Sequence, residues 1–352
     1  MSAESEAGLE ARLRQRMDRL TKPRGALGVL EGLSVQVGLL LGTEAPVLRA
    51  PQMLVFAADH GIAQAGVSAY PPEVTAQMLV NYVAGGAAIN VLARQHSLAL
   101  TVVDAGVRGD PLGGPEGTRA AGGGVSLLRH RLGEGTRDFR YQPAMTSGQC
   151  HAALLAGRGI VRACLERGGN VLLLGEMGIG NTASAAVLLH RLLGWPLQAC
   201  VGRGTGLDDA GLAHKLRVLT EASARCPAPL EPLDTLAEFG GFEIAMLVGA
   251  ILEAATRPCV IVIDGFTVSV AALLAAQLQP GVPGRCVFSH CSAERAHRQL
   301  LDHFGATPLL DLGMRLGEGS GAAMAYPLLQ SSACLLVEMA SFESAGVSGR
   351  GA

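Results

Sequence analysis

The sequence predicts an α/β protein: a Rossmann-like parallel β-sheet with helices on both faces, plus a small helical subdomain formed by the N- and C-terminal segments. Three observations predict it. Short apolar runs recur at 52–58, 98–104, 170–174, 259–263 and 285–288, and each ends in a polar or glycine-rich turn. Continuous apolar runs of that length suit strands buried on both faces. Helical periodicity fills the gaps between the runs, which is the alternation of a parallel sheet. Helical patterns also occupy both ends. Residues 8–40 read as two segments broken by Lys22-Pro23-Arg24-Gly25, and 320–339 is helical again. The expected division is 1–45 with 325–352 as the helical unit, and 46–324 as the large α/β domain. The 111–135 stretch, glycine-rich and weakly periodic, reads as a long excursion, and its Gly122, Gly123 and Gly124 suggest no function.

Composition narrows the function. Glycine supplies 47 of 352 residues, hydrophobic residues 49%, charged residues 16% and aromatics 4%. That hydrophobicity excludes disorder, and the glycines lack the three-residue period of collagen. A formal net charge of −2 without a basic stripe argues against a nucleic-acid partner. The first residues are charged, so no signal peptide is expected, and no membrane span is expected. Eight cysteines with no C-x-x-C pair read as reduced, buried apolar residues of a cytoplasmic protein. They suggest no zinc site, and no metal or other cofactor is expected.

Ligands of such sheets bind beyond the carboxyl ends of the strands. The turns there read Asp59-His60-Gly61, Asp104-Ala105-Gly106, the 175–182 segment, Asp264-Gly265-Phe266 and Ser289-His290-Cys291-Ser292. The 175–182 segment, Gly-Glu-Met-Gly-Ile-Gly-Asn-Thr, has the spacing of a P-loop, with Asn181 where the lysine belongs. Its glycines let backbone amides face an anion at a helix N-terminus. Without the lysine a single phosphate fits better than a triphosphate. The alternative is a plain strand-to-helix turn. Residues 314–321, Met-Arg-Leu-Gly-Glu-Gly-Ser-Gly, set Glu318 among glycines before a helix. There the helix N-terminus favours its charge and an apolar pocket opposes it, a competition that suits a base. The alternative is a capping Glu. Asp59 and His60 read as a turn with a hydrogen-bonded histidine, and Asp264 as a turn or ligand-positioning residue. The 202–206 loop, with Lys215 downstream, is a second anion-friendly segment, or simply solvated surface.

Nine segments together resemble the nicotinate-nucleotide–dimethylbenzimidazole phosphoribosyltransferase family, which serves cobalamin lower-ligand activation. They are LTKPRGALGVLE (20–31), ADHGIAQAGVSAYPPEVTAQM (58–78), GGAAINVLAR (85–94), PAMTSGQ (143–149), GEMGIGNTASAA (175–186), GGFEIAMLVGAIL (240–252), IDGFTVSVAAL (263–273), SHCSAE (289–294) and MRLGEGSGAA (314–323). The resemblance spans nearly the whole chain. It implies transfer of the phosphoribosyl group of nicotinate mononucleotide to 5,6-dimethylbenzimidazole, giving α-ribazole 5′-phosphate and nicotinate, without a cofactor, in a homodimer. Glu318 falls at the family's general base and Glu176 at a second active-site carboxylate. The phosphoribosyl and nicotinate moieties are assigned to Gly178, Ile179, Gly180, Asn181, Gly202, Lys215, Asp264, Ser292, Arg315 and Gly317. The benzimidazole is assigned to Tyr70, Met78, Met177 and Leu316.

One departure stands out. Many relatives read Lys-Pro-Pro-Gly-Ser-Leu-Gly where this chain has Lys22-Pro23-Arg24-Gly25-Ala26-Leu27-Gly28. The change lies in the helical unit, so little catalytic effect is expected. Two other readings remain: a P-loop-like NTPase or kinase, and a non-catalytic protein that binds a mononucleotide or an azole base.

Overall fold

The computed structural model describes residues 3–115, 117–120 and 124–348. A seven-stranded sheet of order β3-β4-β2-β1-β5-β6-β7 organises them. The strands are β1 (Gln52–Ala58), β2 (Ala99–Gly106), β3 (Gly117–Ala120), β4 (Val125–Arg129), β5 (Val171–Met177), β6 (Val260–Ile263) and β7 (Cys286–Phe288). Every pairing is parallel except that of β3 with β4, at one edge. The five apolar runs therefore became strands. The supposed excursion carries two more, β3 and β4, which the sequence reading lacked. Val125, Leu127 and Arg129 are buried while Ser126 and Leu128 are half-buried, an alternation too short to register beside the glycines. Gly122 and Gly123 lie outside the described residues.

The period of two sorts each strand's side chains between two cores. Leu54, Phe56 and Ala58 of β1 face one side with Leu172, Leu174, Ile261 and Ile263. Met53, Val55 and Ala57 face the other with Val171, Leu173, Val260 and Val262. Five helices, α5 (Ser147–Glu166), α6 (Asn181–Leu193), α9 (Pro232–Phe239), α10 (Phe242–Ala254) and α11 (Phe266–Leu278), cover the first face. On the second lie α2 (Val29–Leu41), α3 (Val74–Ala84), α4 (Ala88–Gln95) and α13 (Ser320–Glu338). Two short helices, α7 (Leu197–Cys200) and α12 (His297–His303), and the longer α8 (Asp209–Ala224) complete the first layer.

Helix α1 (Ala3–Arg19) contributes Leu9, Leu13 and Met17 to a third, small cluster with Leu20, Val35 of α2 and Leu336 of α13. A bridge between Leu20 and Ser341 ties the two chain ends together. The same α2 and α13 also pack on the sheet, so the helical unit is continuous with the large layer. Arg24 is exposed in this unit, beside Asp18. Buried Lys22 next to it pairs with Glu31 at 2.8 Å. Val74–Gln95 and Ser320–Glu338 are long and apolar enough to cross a bilayer by composition alone, a property that the reading of short apolar runs overlooked. In the fold α13 packs on α2, α4 and β5.

The chain runs from β1 outward through β2, then returns to β5 on the opposite side of β1 and continues to β6 and β7. The sheet order thus reverses between β1 and β5. The carboxyl ends of strands at such a reversal leave a crevice between diverging connections.

Candidate active site

That crevice is a cavity of about 680 Å³. It is lined from the turns after β1, β5, β6 and β7, and from the loop that leads into α13. Such a volume matches a site for a small molecule. The turn after β2 takes no part. Asp104 instead accepts bonds from the amides of Gly106 and Val107 and pairs with Arg131 at 2.9 Å.

The 178–181 turn joins β5 to α6. Gly178 packs so tightly on Ala58 O that a β-carbon would collide with it. Gly180 caps α6 in a left-handed conformation, φ 98°. The Ile179 amide is held by Thr75 Oγ1 at 3.0 Å. Asn181 and Thr182, at the start of α6, line the crevice, where a helix N-terminus attracts an anion.

The carboxylates form the other end of the site. Residues Gly317, Glu318 and Gly319 all take positive φ, at 81°, 63° and 80°. For Glu318 this left-handed backbone costs roughly 1 kcal/mol. Three anchors hold the loop in that shape. The Glu318 amide donates to Glu176 O at 3.1 Å. Asp264 Oδ2 accepts from Gly319 N at 3.2 Å, and Asp264 Oδ1 from Ala322 N at 2.9 Å. The Glu318 side chain is buried, and burial raises its pKa against the pull of the Ile89 amide and the Tyr82 hydroxyl. Its Oε2 has no hydrogen-bond partner among the described residues. Glu176, also buried, accepts a bond from Asn181 Nδ2. Burial, then the charges of Asp264, Glu243 and Glu318, push its pKa well above the ordinary carboxylate range. Two carboxyl groups that resist ionisation thus sit in one cavity, an arrangement typical of acid–base sites.

Most of the residues singled out from sequence meet here. Tyr70, Met78, Glu176, Met177, Gly178, Ile179, Gly180, Asn181, Ser292, Arg315, Leu316, Gly317 and Glu318 all line the cavity. Tyr70 and Leu316 stand at its mouth, 51% and 49% exposed. Three residues lie behind the wall instead. Asp264 is spent on the α13 amides described above. Lys215 is fully buried and donates to Thr182 Oγ1 at 2.9 Å, and burial lowers its pKa to about 8. Gly202 packs against the Glu294 carboxylate. For Asp264 and Gly202 the sequence marked the turn but not which way its groups face, and Lys215 lies within α8.

The cavity also takes in His290, Glu294, Thr267, Thr205, Val67 and Val74, none of which was singled out as a site residue. His290 lies in the 289–292 turn, so the strand-end rule held its signal, whereas Glu294 lies two residues beyond it. Val67 and Val74 flank an irregular connection after β1, within the 58–78 segment that carries the resemblance but without a periodicity that would mark them.

A cavity at a sheet reversal, with an anion-seeking helix start and paired buried carboxyls, defines a nucleotide-handling α/β fold. A family model described as phosphoribosyltransferase matches residues 3–347, and the chain belongs to that family. It is 56% identical over 340 residues to the nicotinate-nucleotide–dimethylbenzimidazole phosphoribosyltransferase of Cupriavidus necator, covering 97% of this chain and 95% of that one. It is 57% identical over 343 residues to the protein of the same name from Variovorax paradoxus, with 97% and 95% covered. The crystal structure of CobT from Thermus thermophilus superposes with a TM-score of 0.90 at 43% identity, over 98% of this chain and all of that one.

Proposed function

We propose that this chain transfers the phosphoribosyl group of nicotinate mononucleotide to 5,6-dimethylbenzimidazole, with Glu318 as the general base. The observation that carries the reading is the buried Glu318 carboxyl, unpartnered at Oε2, in the same cavity as the glycine-lined start of α6. The phosphate rests at the 178–181 turn and the start of α6, with Ser292 and Arg315 beside it. Lys215 adds charge from behind Thr182. The base lies against Met78, Met177, Leu316 and Tyr70.

The reaction needs one proton acceptor. The unprotonated ring nitrogen of the benzimidazole forms a bond to C1′ of the ribose from the face opposite nicotinate. The C1′–N bond to nicotinate breaks, and its electron pair returns to the pyridine nitrogen. The proton on the other benzimidazole nitrogen passes to Glu318 and then to solvent. Attack from the opposite face converts the β-linkage to α. A carboxylate with a raised pKa is the stronger base for this step. Glu176 orients the ribose.

Eight free cysteines support the cytoplasm as the site of this work. We also propose a homodimer, with residues 1–45 and 325–352 as a small helical unit that shares α2 and α13 with the large layer. The test is incubation with nicotinate mononucleotide and a panel of azole bases, with products resolved by chromatography and mass. An α-riboside and stoichiometric nicotinate support the reading. Binding without nicotinate release, or Mg²⁺-dependent ATP hydrolysis in place of transfer, overturns it.

A further inference from the structure

The Asp59-His60-Gly61 turn stands outside the mechanism above, although His60 is wholly buried at the heart of the fold. Its ring makes two polar contacts. Nδ1 lies 3.0 Å from Ser184 Oγ, in the first turn of α6. Nε2 meets Glu243 Oε1, in the first turn of α10. Glu243 and Ser184 are equally buried. With the ring neutral, Nε2–H donates to the carboxylate and Nδ1 accepts the serine hydroxyl proton. Serine, histidine and glutamate thus stand in line as in a hydrolase, but no side chain of the three reaches solvent or the cavity lining. A role must be exerted through neighbours.

Those neighbours are the anion turn. A β-carbon on Gly178 would stand 3.2 Å from His60 Cδ2 and 3.3 Å from Nε2, and one on Gly180 3.2 Å from His60 Cβ. Gly241, just before α10, packs on Cε1 from the other side. The ring is therefore a wedge under both glycines of the turn, pinned to the starts of α6 and α10. We propose that His60 is a positioning residue, whose ring between Ser184 and Glu243 holds the 178–181 turn in the shape that receives the substrate phosphate. This rests on the phosphoribosyl reading of the site. It goes beyond that reading in assigning phosphate recognition to a residue that never touches substrate.

The test compares His60→Leu and Ser184→Ala with the wild-type chain in steady-state transfer. Wild-type release of nicotinate is established first, so that failure of the parent reading shows there and not in the variants. For His60→Leu, KM for nicotinate mononucleotide rises about tenfold, while kcat and KM for the benzimidazole stay within about threefold. Its kcat/KM on nicotinate riboside, which brings no phosphate to the turn, falls by less than about threefold. Ser184→Ala removes one hydroxyl, so the fold stands, and it raises the mononucleotide KM about threefold. Equal losses on mononucleotide and riboside overturn the proposal. So does an unchanged mononucleotide KM in Ser184→Ala.

Discussion

Glu318→Gln is the decisive perturbation of the proposed chemistry. The amide keeps the length of the side chain and one oxygen for the Ile89 amide, and it meets the same left-handed backbone as Glu318. Fold and substrate binding are therefore retained, and only basicity is lost. A positioned general base contributes roughly 10²–10⁴ in rate. At 1.36 kcal/mol per decade that is about 2.7–5.4 kcal/mol of barrier. The burial that raises the Glu318 pKa places the effect toward the upper half of this range, because an unsolvated carboxylate accepts a proton more readily.

The assay is nicotinate release at saturating mononucleotide, with the dissociation constant of the mononucleotide measured alongside. Turnover falls at least a hundredfold, and binding changes by less than about threefold. The wild-type rate has an acid limb, since Glu318 must be ionised, and it lies above the ordinary carboxylate value of 4.5. The variant lacks that limb. Benzimidazoles with electron-withdrawing substituents release their N–H proton more easily, so the gap between the two enzymes narrows along such a series. Turnover within tenfold of wild type, or a gap that ignores acceptor acidity, refutes Glu318 as the base.

Other perturbations separate positioning from chemistry. Glu176→Gln stabilises the fold while lowering turnover. The buried carboxyl has a raised pKa, so its contribution to stability is full at low pH and is lost as pH rises. The variant's gain in Tm is therefore absent near pH 3 and reaches a few degrees by pH 8 in thermal melts. Gly178→Ala drives a methyl group into Ala58 O and the His60 ring. It costs about 1–3 kcal/mol of stability and abolishes mononucleotide binding, as read by calorimetry. Leu316→Ala, at the mouth, raises KM for the benzimidazole about tenfold and leaves KM for the mononucleotide unchanged. Asp264→Ala frees the amides of Gly319 and Ala322, lowering Tm by several degrees and kcat by more than tenfold, since the Glu318 loop loses two of its three anchors.

The sequence carried the sheet because its strands are buried on both faces and read as unbroken apolar runs. It carried the carboxyl-end turns because glycine and acid residues gather there. It did not carry β3 and β4, a short antiparallel pair at one edge of the sheet, because so few residues among glycines show too little alternation to register. Nor did it carry direction. Asp264 and Glu318 look alike in sequence, each an acid beside a glycine before a helix. Only packing turns one toward backbone amides and the other toward the cavity. Lys215 shows the same limit: a lysine downstream of a glycine loop reads as anion-friendly, and its burial behind Thr182 is set by packing alone.

The distribution of charge gives the arrangement its sense. Glu176, Glu294 and Glu318 line the cavity, and Asp264 stands just behind. Glu294 feels the charges of Lys215 and Arg315, and Glu176 bonds Asn181 at the start of α6, so acids and the groups that attract a phosphate share one cavity. Ionised, as the proposed base must be, Glu318 attracts the cationic pyridinium of the substrate and the positive charge that develops at C1′ as its bond breaks. Two unit charges about 4 Å apart interact by about 4 kcal/mol at an effective dielectric near 20. Once the bond has broken, the nicotinate nitrogen is neutral and that attraction vanishes, while the nicotinate carboxylate now faces acids. An ionised Glu318 therefore favours the transition state over both the bound product and any uncharged leaving group. Replacing the pyridinium leaving group by a neutral one should cost this protein far more than its difference in solution reactivity. Measured rates for a neutral-leaving-group riboside phosphate that merely track solution reactivity would remove this attraction from the mechanism.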